Sequence, residues 1–245
     1  MSRHIRPISE SGFLHVITRG IGKQLLFEER EDYLSYLSRL EKFSKETKVV
    51  ICAYCLMENH VHLLLLDQNR QTAVLMKKLG VSYAHYFNKK YERTGHLFQD
   101  RYLSEVVDTN AYLLKVFRYI LNNPKKAGIC PAEQYEWSSF QAYDGLSRFV
   151  RTECLEKLIG SRENYERFIT EDNNDKCMED ETVRRDDQWA LQVIHRRLHD
   201  KSGTILQAYG KQERNEVLRE LKKEGLTIRQ LERLTGINRG VIQRA

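Results

Sequence analysis

The pattern of apolar residues predicts an α+β protein. It implies a ferredoxin-like β-α-β-β-α-β antiparallel sheet with an extra helix, followed by a small all-helical C-terminal region. Three observations predict it. Strand-like runs occur at Gly12–Gly20, Val49–Leu56, His60–Leu66 and Leu97–Val107. Helical spacing falls between or after them, at Glu28–Lys45, Thr72–Lys90 and Asn110–Asn123. Beyond a charge-crowded stretch, Glu171–Arg185, every recognisable pattern is helical.

In the first strand His15 and Ile17 share one face while Leu14 and Val16 share the other. The first helix places Tyr33, Leu34, Leu37, Leu40 and Phe43 at helical spacing among charges. The second carries Val74, Leu75, Leu79, Tyr83, Tyr86 and Phe87 on its apolar side, with Lys77, Lys78, Lys89 and Lys90 opposite. The run Leu97–Val107 reads as a fourth strand bearing Arg101 and Tyr102. Asp108, Thr109 or Asn110 caps the third helix, and Pro124 stops it at Asn123. Trp137-Ser138-Ser139-Phe140 and Tyr143 are expected to pack back on the core, ahead of one or two short helices up to Thr170.

The chain has 245 residues, 41% hydrophobic and 30% charged, with a net charge of +6. This is enough apolar material for a core, and the mild basic balance favours a polyanionic partner. No apolar run reaches the length of a membrane span, and Met1-Ser2-Arg3-His4 lacks the apolar start of a secretion signal. Five cysteines form no even disulfide framework and suit a reducing cytoplasm. Cys52 and Cys55, a C-x-x-C on a strand, are expected on opposite faces as ordinary buried thiols.

The chemistry centres on Glu58-Asn59-His60-Val61-His62. A turn there would lead into the third strand, so His60 and His62 project from one face about 7 Å apart and can converge on one divalent cation. In the third helix Tyr119 and Asn123 stand at i and i+4, one turn apart on the same face. If that face meets the histidines, Asn123 supplies an oxygen ligand and Tyr119 presents its phenol beside the metal. A phenol with a pKa of about 10 is a poor nucleophile. A cation polarising a phosphate offsets this, and the product would be a phosphotyrosine. Polar-face strand histidines and a core tyrosine fit the same spacings, in a chain with 13 tyrosines. His15 and His96 are further candidates at metal distance, read more simply as structural.

Near the C-terminus, Ile228, Leu231 and Leu234 make one apolar stripe, Gly236 makes a turn, and Ile237, Val241 and Ile242 anchor a second short helix. Thr227 and Asn238 can cap the two helices. The pattern is a helix-turn-helix, with Asn238, Arg239, Gln243 and Arg244 free to face duplex DNA. An ordinary helical hairpin is the alternative.

His60-Val61-His62 resembles the histidine-hydrophobe-histidine signature of HUH single-strand nucleases. The wider set is similar to single-tyrosine transposases of the IS200 and REP-associated type. It comprises Phe13–Gly20, Met57–Leu65, Gly95–Tyr102 and Arg118–Gly128, and covers about residues 10 to 145 in the family's order. The resemblance implies Tyr119 as nucleophile, His60 and His62 as metal ligands, and Asn123 at the third, amide-bearing position. It implies cleavage of single-stranded DNA beside a hairpin, with Mg²⁺ or Mn²⁺, leaving a 5′-phosphotyrosine and a free 3′-hydroxyl.

The family's third ligand is glutamine in some branches, so the shorter Asn123 bears on metal preference. The C-terminal helix-turn-helix is absent from the minimal enzymes and suggests a domesticated relative. The expected organisation is residues 1–145 as the HUH single-tyrosine domain, 146–185 as a helical extension and acidic linker, and 186–245 as a helical DNA-binding domain. A monomer or homodimer is expected.

Arg19, Lys23, Arg101 and the lysines beside the second helix are candidates for phosphate contact. Tyr102 or Phe98 is a candidate to stack an unpaired base. The rival reading is a non-catalytic DNA-binding regulator that uses only the helix-turn-helix. An RNA-binding module fits less well, because RNA-recognition sheets carry aromatics where this one carries histidines.

Overall fold

The computed structural model describes residues 9–145, 147, 149–175, 177, 187–198 and 202–245, apart from the side chains of Lys23, Asp144 and Gln188. The strands are β1 (Phe13–Arg19), β2 (Val50–Met57), β3 (His60–Leu66) and β4 (Leu103–Val106). They form one antiparallel sheet in the order β2-β3-β1-β4. That is the order of a split β-α-β pattern, in which β3 returns between β1 and β2. The fold is α+β and ferredoxin-like.

Helices cover both faces of the sheet. Val16, Leu56, Val61, Leu63 and Leu65 share a core with Leu40 of α1 (Arg30–Thr47) and Leu79 and Tyr83 of α2 (Thr72–Lys90). On the other face Cys55 and Leu64 pack with Leu113, Val116, Phe117 and Ile120 of α3 (Asn110–Leu121). A strand covered on both sides has no need of alternation, which explains the unbroken leucine run. Leu63, Leu64 and Leu65 are fully buried, each stabilising by roughly 1.5–3 kcal/mol.

Local chemistry sets the element ends. The Asp32 carboxylate accepts from the backbone N–H groups of Glu28 and Glu29, so α1 begins at Arg30 rather than Glu28. Asp67 accepts from the backbone of Gln71 and Thr72 and from the Thr72 hydroxyl, holding the start of α2. Thr109 caps α3 by accepting from Tyr112 N–H at 3.2 Å.

Three expectations are corrected. The fourth strand spans only Leu103–Val106. Leu97 to Gln99 still bond to the end of β1 and the turn after it, but Asp100 Oδ1 accepts from Arg101 N–H and breaks the ladder. Arg101 and Tyr102 therefore precede the strand. The third helix ends at Leu121, and Asn123–Lys126 forms a separate turn, α4, with Pro124 in its first turn. Proline there costs no helical hydrogen bond, so it opens α4 instead of merely stopping α3. Finally, a bulge between Ile51 and Ala53 turns Cys52 toward the α3 side, so Cys52 and Cys55 share one face. Both are buried free thiols, and burial pushes Cys55 well above the ordinary range.

Residues 137–139 pack back on the core by bonding along the β2 edge. Leu56 N–H donates to Trp137 O and Ser139 N–H to Tyr54 O, while Phe140 and Tyr143 join the α3-side core. Helices α5 (Glu153–Ile159) and α6 (Arg162–Thr170) add Leu155, Tyr165 and Ile169 to the same core. No helix among the described residues is long and apolar enough to cross a membrane.

The chain divides into two compact units, Met1–Cys177 and Met178–Ala245. Of the charge-crowded stretch, Glu171 to Asp175 and Cys177 are described with the first unit. Glu179, Asp180 and Glu181 lie outside the described residues. The second unit packs α7 (Asp187–Arg197), α8 (Lys211–Lys223), α9 (Ile228–Thr235) and α10 (Arg239–Arg244) around Ile194, Leu218, Leu231 and Ile242.

Candidate active site

The site lies on the α3 face of the sheet. His60 and His62 leave β3 on that face, with ring centroids 5.0 Å apart. His60 is half-buried, whereas His62 is fully buried. Asn59 Oδ1 lies 2.7 Å from His60 Nδ1. The amide oxygen only accepts, so Nδ1 carries the proton and Nε2 the lone pair. His62 Nδ1 lies 3.1 Å from Nε2 of His15, a fully buried residue of β1.

Helix α3 packs across β2 and β3 and delivers Tyr119 to this cluster. Its ring meets His62 and His15 at centroid distances of 5.8 and 6.0 Å, both edge to face. Tyr119 is only 2% exposed. The Lys126 ammonium lies 3.9 Å from the Tyr119 ring centroid and also donates to Asp175 O. Asn123 Nδ2 donates to the Tyr119 and Ile120 carbonyls at 3.0 and 3.3 Å. The amide nitrogen is thereby spent on the helix end, and Oδ1 is the Asn123 atom suited to a cation.

An acidic segment runs along the same helix end. Arg118 Nε donates to Asp175 Oδ2 at 2.6 Å, with its guanidinium over the Phe168 ring. Lys125 Nζ meets Asp172 Oδ1 at 2.8 Å. Burial and then the Glu105 carboxylate push the Cys177 thiol up to about 12.

Among the described residues, no cluster of three or more His, Cys, Asp and Glu stands ready to hold a metal ion. A centre here would rest on His60, His62 and the Asn123 amide oxygen. Two imidazoles and one oxygen, with open positions left for water or phosphate, suit a small divalent cation. The donor set fits the group.

The other sequence candidates separate. Arg19 lies opposite His60 in the β1–β3 ladder, on the histidine face. Arg101, Tyr102 and Phe98 line a cavity of about 350 Å³ with Thr18, Met76 and Gly80, on the α2 side of the sheet. Lys23 sits in a short turn, and its side chain lies outside the described residues. Lys90 is bound by Asp32 and Glu29, and Lys78 by Glu46, so both already have carboxylate partners. His96 is exposed in a loop. In the second unit Arg239, Gln243 and Arg244 are exposed, while Asn238 Oδ1 accepts from Gly240 N–H to cap α10. Sequence reasoning missed Lys126 and Glu105. The i+7 spacing of Lys126 from Tyr119 was the available signal for the first.

Residues 10–123 match the model of a family described as transposase IS200 like. This part of the chain belongs to the IS200-like transposase family. The transposase domain has the fold of a REP-associated tyrosine transposase solved with a REP hairpin. The TM-score is 0.50 at 15% identity, covering 58% of this chain and 84% of that one. A Deinococcus radiodurans R1 protein described as a transposase aligns with a TM-score of 0.36 at 17% identity, covering 49% of this chain and 97% of that one. No curated protein matches the chain. At the coarse level the domain is a transposase, a class of enzyme that acts on DNA.

Proposed function

We propose that the transposase domain is a metal-dependent endonuclease and strand transferase for single-stranded DNA at hairpins, with Tyr119 as nucleophile. The observation that carries this reading is the edge-to-face contact of Tyr119 with His62 and His15 on the histidine face of the sheet. His60 Nε2, His62 and Asn123 Oδ1 would hold Mg²⁺ or Mn²⁺. The bound ion supplies Lewis-acid polarisation of the scissile phosphate.

The Tyr119 phenol oxygen attacks phosphorus and loses its proton to solvent. The bond from phosphorus to the 3′-oxygen breaks, and that oxygen takes up a proton. The products are a 5′-phosphotyrosine and a free 3′-hydroxyl, and the retained phosphoester supports later rejoining. Lys126, against the ring, favours the charge that develops on the phenol oxygen. Arg19, beside His60, is positioned to meet the DNA backbone. Arg101 and Tyr102 serve strand binding on the α2 side, and Lys23 is retained as a candidate from sequence.

Residues 186–245, within the second unit, are proposed as a helical helix-turn-helix domain that docks duplex DNA through Asn238, Arg239, Gln243 and Arg244. Residues 1–145 carry the chemistry, 146–185 form a helical extension and acidic linker, and the protein acts as a monomer or homodimer. One observation favours a second reading, a regulator that binds DNA without cutting: Tyr119 is almost fully covered.

The deciding experiment mixes the protein and Tyr119→Phe with end-labelled single-stranded hairpins, in Mn²⁺ or EDTA, on a denaturing gel. A metal-dependent covalent adduct lost in Tyr119→Phe is expected. No adduct, with tight binding that needs residues 226–245, would establish the regulator instead.

A further inference from the structure

Tyr112, Glu105, His15 and His62 form one line of hydrogen bonds behind the metal-binding face. Tyr112 donates its hydroxyl to Glu105 Oε1 at 2.5 Å. The other carboxylate oxygen, Oε2, lies 3.4 Å from His15 Nδ1. His15 Nε2 lies 3.1 Å from His62 Nδ1. The two imidazoles are inclined by only 21° with centroids 5.3 Å apart. That separation, with nitrogens at 3.1 Å, requires rings that meet edge to edge and nearly coplanar. The contact is therefore an in-line hydrogen bond rather than a stack.

Direction along the line follows from what each group can do. A carboxylate only accepts, so the His15 proton sits on Nδ1 and its lone pair on Nε2. That lone pair accepts from His62 Nδ1–H, which leaves the His62 lone pair on Nε2, the atom a cation would need. His60 reaches the same state by a separate route, its Nδ1–H held by Asn59.

The strand register builds the device. Glu105 on β4 stands directly opposite His15 on β1, and His15 lies diagonal to His62 on β3, which pairs with Ile17. His15 is fully buried, so its ring has little freedom to turn.

We infer that His15, Glu105 and Tyr112 are positioning residues that fix the tautomer and ring orientation of His62 for metal binding. This inference rests on the proposed metal-dependent reading. Outer partners of this kind typically change metal affinity by about 10–100-fold when removed.

The test uses full-length protein with ¹⁵N-labelled histidine. Long-range ¹H–¹⁵N spectra of the metal-free protein should show His62 with its proton on Nδ1. In Glu105→Leu, and in His15→Phe, that single tautomer should give way to a mixture. Calorimetry should find Mn²⁺ bound about 10–100-fold more weakly by both variants, with metal-free thermal midpoints reported alongside to separate misfolding. A proton on His62 Nε2 in the wild type overturns the inference. Undiminished Mn²⁺ affinity in correctly folded Glu105→Leu overturns it as well. If the wild type binds no Mn²⁺ while His62 still shows the Nδ1–H tautomer lost in Glu105→Leu, the metal reading fails and the orienting line stands. Should both variants fail to fold, the wild-type tautomer alone decides.

Discussion

The Lys126 ammonium sits 3.9 Å from the centroid of the Tyr119 ring, although the two residues belong to different helices. Asn122, at φ −87° and ψ 4°, separates the two helices, and Lys126 stands seven residues beyond Tyr119, about two helical turns along the same face. A cation over this ring favours charge on the phenol oxygen. Lys126→Gln is expected to slow phosphotyrosine formation on the order of tenfold, since a partly desolvated contact of this type is worth about 1–2 kcal/mol. Lys126→Arg should retain most of the rate. Single-turnover adduct formation at saturating Mn²⁺ is the measurement, and equal rates for Lys126→Gln and wild type would remove Lys126 from the chemistry.

Asp172 and Asp175 occupy two cations, Lys125 and Arg118, at the same helix end. A DNA strand approaching Tyr119 would compete with these carboxylates for the same cations. The double variant Asp172→Asn, Asp175→Asn is expected to bind a single-stranded oligonucleotide several-fold more tightly at low salt. The gain should shrink as salt rises, because phosphate contacts weaken with counterion concentration. Fluorescence anisotropy over a salt series measures both effects.

Asp32 gives the first unit an acid-sensitive joint. Burial works to raise its carboxyl. Hydrogen bonds from Lys90 and Tyr91, and from the backbone of Glu29 and Glu28, outweigh burial and hold it at about 2. A folded-state value below the ordinary 3.8 stabilises the fold above the unfolded-state pKa. That contribution, on the order of 2 kcal/mol, is lost as pH falls from about 4 toward 2. Urea midpoints against pH should show the loss in wild type and a flatter acid limb in Asp32→Asn, which starts from lower stability at neutral pH.

Gly236 ends α9 with φ at +70° and leads into Ile237. A Cβ there would be strained by the left-handed backbone and would collide with the Gln207 amide, which donates to Thr235 O. Gly236→Ala is expected to cost the second unit about 1–2 kcal/mol from backbone strain alone. In differential scanning calorimetry of the full chain, the loss should fall on one transition and leave Tyr119-dependent cleavage unchanged.

Arg239 and Arg244 are exposed on α10, and each should contribute one phosphate contact if this unit docks duplex DNA. Alanine at either position should lower the slope of log affinity against log salt by about 1. An unchanged slope in both variants would take α10 out of the interface.

By itself, the sequence determined the strand and helix order, because alternation and helical spacing are local consequences of which faces can be buried. It also paired His60 with His62 and Tyr119 with Asn123, since two-residue and four-residue spacings map directly onto strand and helix faces, and the family resemblance joined the pairs into one set. Tertiary structure decided the rest. Asp100 and Arg101 interrupt the fourth strand through a side-chain bond that no periodicity reveals. The bulge at Cys52 reverses a facing assignment that depended on strict alternation. In sequence His15 is a candidate at metal distance that reads more simply as structural, and only the register of β1 against both β3 and β4 sets it between Glu105 and His62. The i+7 spacing of Lys126 from Tyr119 is local, but Asp172 and Asp175 reach the same helix end from about fifty residues away in sequence. Contacts at that separation arise only when packing of the whole unit brings the segments together, so a local reading of residues has no access to them.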